Sequence, residues 1–231
     1  LLGEGFAKAT ASPRMVRAEL TLYNPAEALR LALLPSLGHT FQNFQTHVIP
    51  LSGDFEELWS RRYRKNTRNC VRMAERAGVT VARERGPDAV RVLAELHAHQ
   101  AAQFPGIIPH PHHALAAVVE ELGDAAHLYV ARQAGEALCA ILLLDDARDT
   151  HAWVSGALEN ARPVRAYHLM INAGLRDANA RGLRAFHFGG SGGQDQLEFF
   201  KASFGAVPVP VLRSFKVAGW FRRLRRGPVW D

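Results

Sequence analysis

His127–Ala157, HLYVARQAGEALCAILLLDDARDTHAWVSGA, is the stretch that decides the fold. It holds three runs of strand-forming residues, His127–Gln133, Ala137–Asp145 and Thr150–Ala157. They are divided only by Ala-Gly-Glu and by Asp-Asp-Ala-Arg-Asp. Strands joined by turns this short pair antiparallel, so the stretch predicts a three-stranded meander.

Downstream, a long helix is predicted from Pro163 to about Ala180, ending at Gly182, with Val164, Leu169, Ile171 and Leu175 on one packing face. A strand Arg184–Phe188, a glycine-rich turn Gly189–Gly193, a helix Asp195–Ser203 and a strand Val207–Val217 follow. Upstream, Asp54 caps a helix expected to run through about Ala77 and to stop at Gly78. Then come a strand Val79–Arg83, a helix from Pro87 to about Gln103, a Pro- and His-rich loop Phe104–His113 and a helix near Ala114–Leu122. The order β-α-α-β-β-β-α-β-α-β predicts an α/β fold with a mixed, mostly antiparallel sheet flanked by helices.

Residues 1–53 do not read as a self-sufficient unit. Val16–Tyr23 alternates weakly like a strand, Asn24-Pro25 opens a helix to Leu34, and Gln45–Leu51 is a short strand. They are expected to be an extension or the remnant of a preceding domain, with 54–231 as the main domain. The opening LLGEGFAKAT has no basic n-region and no long apolar run, so it does not read as a signal peptide.

The 231 residues are 48% hydrophobic and 22% charged, which excludes disorder as the dominant state. No apolar run reaches the roughly 18 residues of a membrane span. Two cysteines, Cys70 and Cys139, make no disulfide framework, so a reduced, cytoplasmic protein is expected. The net charge is +6, and of the 28 cationic side chains only Lys8, Lys65, Lys201 and Lys216 are lysine. Within the first predicted helix, Arg61, Arg64, Lys65, Arg68, Arg72 and Arg76 recur at three- or four-residue steps, opposite a stripe of Trp59, Tyr63, Cys70, Ala74 and Ala77. This predicts a basic ridge along one helix face. Such a ridge is either a grip for a polyanion or a solvated face offset by Glu56, Glu57 and Glu75.

The element order resembles the GNAT acyltransferase fold. Two segments narrow the resemblance to the Fem-type aminoacyl transferases of peptidoglycan cross-bridges and the related BioF2-like acetyltransferase domains. The first, Tyr63–Glu75 (YRKNTRNCVRMAE), is similar to that family's basic helix with an Asn-x-Arg core. The second, His187-Phe188-Gly189-Gly190-Ser191 followed by Phe199–Gly205 (FFKASFG), is similar to its D-F-G-G … F-K-x-x-F-G signature, with His187 where the family has Asp. The resemblance covers about 45–217. It implies transfer of an acyl or aminoacyl group to an amine, no tightly bound cofactor, and acyl-CoA or aminoacyl-tRNA as co-substrate. It also implies a small-molecule or lipid-linked amine acceptor, with tRNA as a further partner and a missing N-terminal domain.

Candidate site residues follow from the motifs. Lys201 is the candidate catalytic cation, for a developing oxyanion or a phosphate; the bland reading is a solvated helix lysine. Arg64, Lys65, Asn66 and Arg68 are expected to position a polyanionic substrate. Gly189, Gly190 and Ser191 open a turn that either cradles a phosphate with backbone N–H groups or simply turns the chain. The Q/R-x-x-G-x-G/A coenzyme A turn is missing from Glu159–Ala166, where Arg162 and Arg165 are placed to pair with phosphate oxygens. Tyr167 lines the same groove or packs in the core. His97, His99, His110, His112 and His113 lack a metal-ligand pattern, so no metal is expected. His151 and His168 are potential proton acceptors, although buried structural histidines are the better reading. The tail Trp220–Arg226 is basic and amphipathic; it fits an anionic membrane, an RNA or a disordered end. The alternative function is a non-catalytic module that binds RNA or an anionic membrane on the same scaffold.

Overall fold

The computed structural model describes residues 17–22, 40–51, 53–104 and 108–217, with side chains for 44–51, 53–104 and 108–211. The expected helix 25–34 and the tail 220–226 lie outside the described residues. The strands are β1 (Arg17–Leu22), β2 (Thr40–Pro50), β3 (Val79–Glu84), β4 (Ala126–Gln133), β5 (Glu136–Asp145), β6 (Asp149–Ala157), β7 (Ala185–Gly190) and β8 (Val207–Val217). The helices are a single turn α1 (Phe55–Glu57), α2 (Lys65–Arg76), α3 (Pro87–Ala102), α4 (His112–Leu122), α5 (Ala166–Ala180) and α6 (Asp195–Ser203).

The chain divides into two compact units. One takes in Leu1–Thr46 and Val209–Asp231, and in it β1 pairs antiparallel with β8 from Arg17↔Val217 to Leu22↔Leu212. The other, His47–Pro208, takes in the segment 47–53 that lies before the boundary expected at residue 54.

In the larger unit the strand order is β7-β6-β5-β4-β3. The expected meander is present: β4 pairs antiparallel with β5, and β5 with β6, while β3 adds antiparallel to β4. The crossover through α5 makes β6–β7 a parallel pair. Both faces are covered, which is why β5 reads as an unbroken apolar run. Tyr129, Ile141, Leu143 and Phe186 face one core with Val71, Met170, Ile171 and Leu175. Their neighbours Leu128, Val130, Leu142 and Val154 face a second core with Leu93, Leu96 and Leu115. This alternation is the period of two that a strand imposes.

Two helix expectations are corrected. The helix from Asp54 to Ala77 is not continuous. Asp54 does cap it, its carboxylate accepting from the Glu56 N–H at 3.2 Å. A π turn then occupies Leu58–Arg62, Tyr63 and Arg64 are extended, and α2 begins at Lys65. The Arg68 guanidinium bends back to donate to the carbonyls of Trp59, Ser60 and Tyr63, satisfying the end of the π turn. The single basic ridge is therefore broken. Arg61 pairs with Glu57, Arg64 lies 4.6 Å over the Phe199 ring, and Arg72 lies 5.6 Å over Trp59. The helix expected from Pro163 instead starts at Ala166, because Arg165 is left-handed (φ 58°).

Candidate active site

β6 and β7 pair at only three positions, from Asp149↔Ala185 to His151↔His187. Beyond them the two strands part, and a cleft of about 490 Å³ opens between β6 residues Ala152–Ala157 and β7 residues Phe188 and Gly190. α5 and the turn before it contribute Arg162, Arg165, Tyr167 and His168; α6 contributes Leu197, Phe200 and Lys201; α3 contributes Gln100. Backbone groups on strands that separate keep free hydrogen-bonding capacity for a ligand. One such group is already used: the Ser155 carbonyl lies 2.9 Å from His97 Nδ1.

Lys201 is 4% exposed and lines this cleft. Its ammonium donates to the carbonyls of Gly189 (2.9 Å) and Gly190 (2.6 Å). Gly189 is left-handed (φ 75°), a conformation that glycine adopts without strain. Burial pulls the Lys201 pKa down to about 8, against a smaller upward pull from Glu198. Tyr167 is held neutral, its pKa pushed up to about 12 by burial, and its hydroxyl donates to Ser155 Oγ at 3.0 Å. Burial, and then the Arg165 charge, lower His168 to about 4, so it is a neutral ring against Phe200 and Phe204. Arg165 Nε is buried with no acceptor.

Of the residues singled out from sequence, Lys201, Arg162, Arg165, Tyr167 and Gly190 line this one cleft. Gly189 reaches it through its carbonyl on Lys201. Ser191 is buried beside it, with Oγ 3.3 Å from His47 Nδ1. Arg64, Lys65, Asn66 and Arg68 do not line it. Lys65 and Asn66 are exposed, Arg64 stacks on Phe199, and Arg68 is occupied by backbone carbonyls. The two motif segments nevertheless meet. The Arg64 N–H donates to the Ser203 carbonyl at 2.9 Å, Tyr63 meets Phe204 edge-on at 5.1 Å, and Gly205 (φ 90°) sits where a Cβ would be 2.7 Å from Arg62 Cβ. His187, in place of the family's Asp, bonds Asp149 and stacks on His151.

Ser155, Gln100 and Trp153 carried no motif and were not singled out; only the parting of β6 from β7 makes them part of a site. Among the described residues no group of His, Cys, Asp or Glu could hold a metal ion, and no helix is long and apolar enough to cross a membrane.

Comparison with curated proteins finds no match. Among solved structures, the chain is similar to FemX (TM-score 0.68, 14% identity, covering 95% of this chain and 76% of that one). It is similar also to the C-terminal domain of a putative lysylphosphatidylglycerol synthetase from Agrobacterium fabrum (0.62, 14%, 94% and 73%). A third is a GCN5-related N-acetyltransferase from Kribbella flavida (0.55, 15%, 94% and 74%). At such identities these likenesses show the fold. The sequence profile of the acetyltransferase (GNAT) domain matches residues 61–201, which hold the first motif segment, the second as far as Lys201, and the residues that line the cleft. That match, over more than half of the chain, shows a GNAT-type N-acyltransferase: the chain belongs to the acetyltransferase (GNAT) family.

Proposed function

We propose that the cleft transfers an acyl or aminoacyl group to an amine from a carrier that bears phosphate, either acyl-CoA or aminoacyl-tRNA. The observation that carries this reading is the Lys201 ammonium. It has three N–H donors, the Gly189 and Gly190 carbonyls take two, and the third has no acceptor among the described residues. Attack by an amine makes the acyl carbon tetrahedral and its oxygen negative. A cation already fixed in a water-poor cleft stabilises that charge without reorganising.

Arg162 and Arg165 stand where α5 begins, beside the partial positive charge of a helix N-terminus. The orphaned Arg165 Nε is matched by a phosphate oxygen of the carrier. The unpaired edges of β6 and β7 suit an extended, amide-bearing arm, which would lie between them as an added strand does. The likeness to FemX and to a lysylphosphatidylglycerol synthetase keeps an aminoacyl donor and a lipid-linked acceptor within the proposal.

The test is mass spectrometry of amine acceptors incubated with the protein and either acetyl-CoA or charged tRNA. The expected result is an added acyl or aminoacyl mass from one donor, reduced about a hundredfold by Lys201→Ala. Transfer from neither donor, or full turnover by Lys201→Ala, overturns the reading.

A further inference from the structure

α3 carries two buried acceptors that the reading above does not use, one on a residue that lines the cleft and one on His97 behind the cleft residue Ser155. Gln100 lines the cleft, and its Oε1 is buried with no hydrogen-bond partner. His97 lies three residues earlier on the same helix, so the two side chains share a face. Its Nδ1 is 2.9 Å from the Ser155 carbonyl oxygen. A carbonyl only accepts, so Nδ1 carries a proton, and in the neutral ring the lone pair is then on Nε2. Nε2 is also buried and without a partner.

The position of these atoms is tightly held. At Gly156 an added Cβ would lie 2.2 Å from the His97 backbone nitrogen, so α3 sits directly on β6 at this point. The His97 ring meets the Ser155 carbonyl of β6 and His110 from the loop, stacked at 5.6 Å, while Gly156 lies against the His97 backbone. His110 in turn meets Trp153, which lines the cleft and is 40% exposed. Ring contacts, and no hydrogen bond among the described residues, hold His110 there.

The cleft is thus polarised. Lys201, Arg162 and Arg165 offer N–H donors to anionic groups, and the orphaned atom among them is a donor. The orphaned atoms of Gln100 and His97 are acceptors and call for a ligand rich in N–H. An ammonium is such a ligand, and the partly exposed Trp153 in the lining adds an aromatic ring of the kind that attracts a cation.

We propose that Gln100 and His97 form the acceptor-amine site of the transferase. The assignment rests on the acyl-transfer reading. Gln100 Oε1 accepts an N–H of the incoming primary ammonium, and His97 Nε2 takes one proton from it. The freed lone pair attacks the acyl carbon, a C–N bond forms and the carbonyl pair moves to oxygen. Collapse restores the C=O and expels the carrier oxygen or sulfur with its electron pair. The second N–H proton leaves on the carrier, and the first passes from His97 to water.

The experiment uses the full chain, with n-butylamine and lysine methyl ester as acceptors and acetyl-CoA or charged tRNA as donors. Gln100→Ala raises KM for the amine about tenfold and leaves KM for the donor unchanged, a loss of one hydrogen bond. Gln100→Glu keeps an acceptor and returns the amine KM to the wild-type value or below. His97→Gln lowers kcat about a hundredfold at neutral pH and recovers as pH approaches the pKa of the amine itself. An unchanged amine KM in both Gln100 variants, or a change confined to the donor KM, overturns the assignment while acyl transfer stands. Nitrogen NMR provides a readout without turnover. His97 is expected as the Nδ1–H tautomer, and n-butylamine is expected to shift both its Nε2 and the Gln100 amide. If neither donor is used, the acyl-transfer reading fails and the amine site is judged on that titration alone: shifts at both groups uphold it, and their absence removes it.

Discussion

An ammonium enclosed in a cleft loses hydration that two carbonyls replace only in part, and Lys201 accordingly titrates near pH 8. Its charge is present below that pH and lost above it. We expect kcat to fall above about pH 8 in the wild type and Lys201→Arg, which stays charged, to lack that fall. A pH–rate profile at saturating donor checks this, and an identical alkaline limb in both proteins would remove Lys201 from the step. The sign for stability is the opposite of a salt bridge. The folded state binds this proton less tightly than the unfolded chain, so the cost of burying the charge is full below about pH 8 and fades as pH rises toward the ordinary lysine value. The difference in unfolding free energy between Lys201→Met and the wild type should therefore shrink from pH 8 upward, read by urea titration. The choice of Lys201 was legible in the F-K-x-x-F-G segment. Its burial was not, because it depends on where Gly189 and Gly190, a dozen residues earlier, aim their carbonyls.

At the scale of elements, the 54–77 segment shows how a side chain can redraw a helix. Period alone places Arg68 on the same face as Arg61, Arg64, Arg72 and Arg76. The guanidinium instead closes the π turn by taking three carbonyls, one of them nine residues away. Arg68→Ala should lower stability by about 1–3 kcal/mol, and Arg68→Lys should recover part of it, since one nitrogen, Nη1, makes all three contacts and an ammonium supplies three donors. A shift of the urea midpoint checks both; an unchanged midpoint would return Arg68 to the surface. The α3–β6 contact is stricter. A methyl at Gly156 would meet His97 N at 2.2 Å and Leu96 C at 2.3 Å, both backbone atoms with no rotamer to yield. Gly156→Ala should cost roughly 2–4 kcal/mol and raise the amine KM, because the helix that carries Gln100 must lift. Thermal melting and steady-state kinetics on the same sample test the two effects together.

Across the larger unit, the end of β5 is tied to β4 and α5 through Asp145. It meets His127 Nε2 at 2.9 Å and Arg181 Nε at 3.0 Å, and Arg181 also bonds Asp177, which accepts from Tyr129. Burial alone would raise the Asp145 pKa, yet His127 and Arg181 hold it below the ordinary carboxylate value. Its stabilisation is present above the unfolded carboxylate pKa of about 4 and is lost as pH falls through the folded value. Asp145→Asn should be less stable than the wild type at neutral pH and should converge with it in acid, measured by unfolding at pH 7 and pH 3. A constant gap would show that this carboxylate does not set the acid limit. The order of the strands and helices and the pairing of the meander were determined by the sequence itself, though not the break at Leu58–Arg64 or the start of α5 at Ala166, because alternation, helical period, caps and short turns act between residues near in the chain. Only the tertiary structure decided where β6 leaves β7, that Lys201 is enclosed there, that Arg68 serves the backbone, and that Gln100, Ser155 and Trp153 face a cleft. Those outcomes rest on hydrogen bonds and packing between segments far apart in sequence. Local periodicity says which face a residue occupies, but not what will stand opposite it.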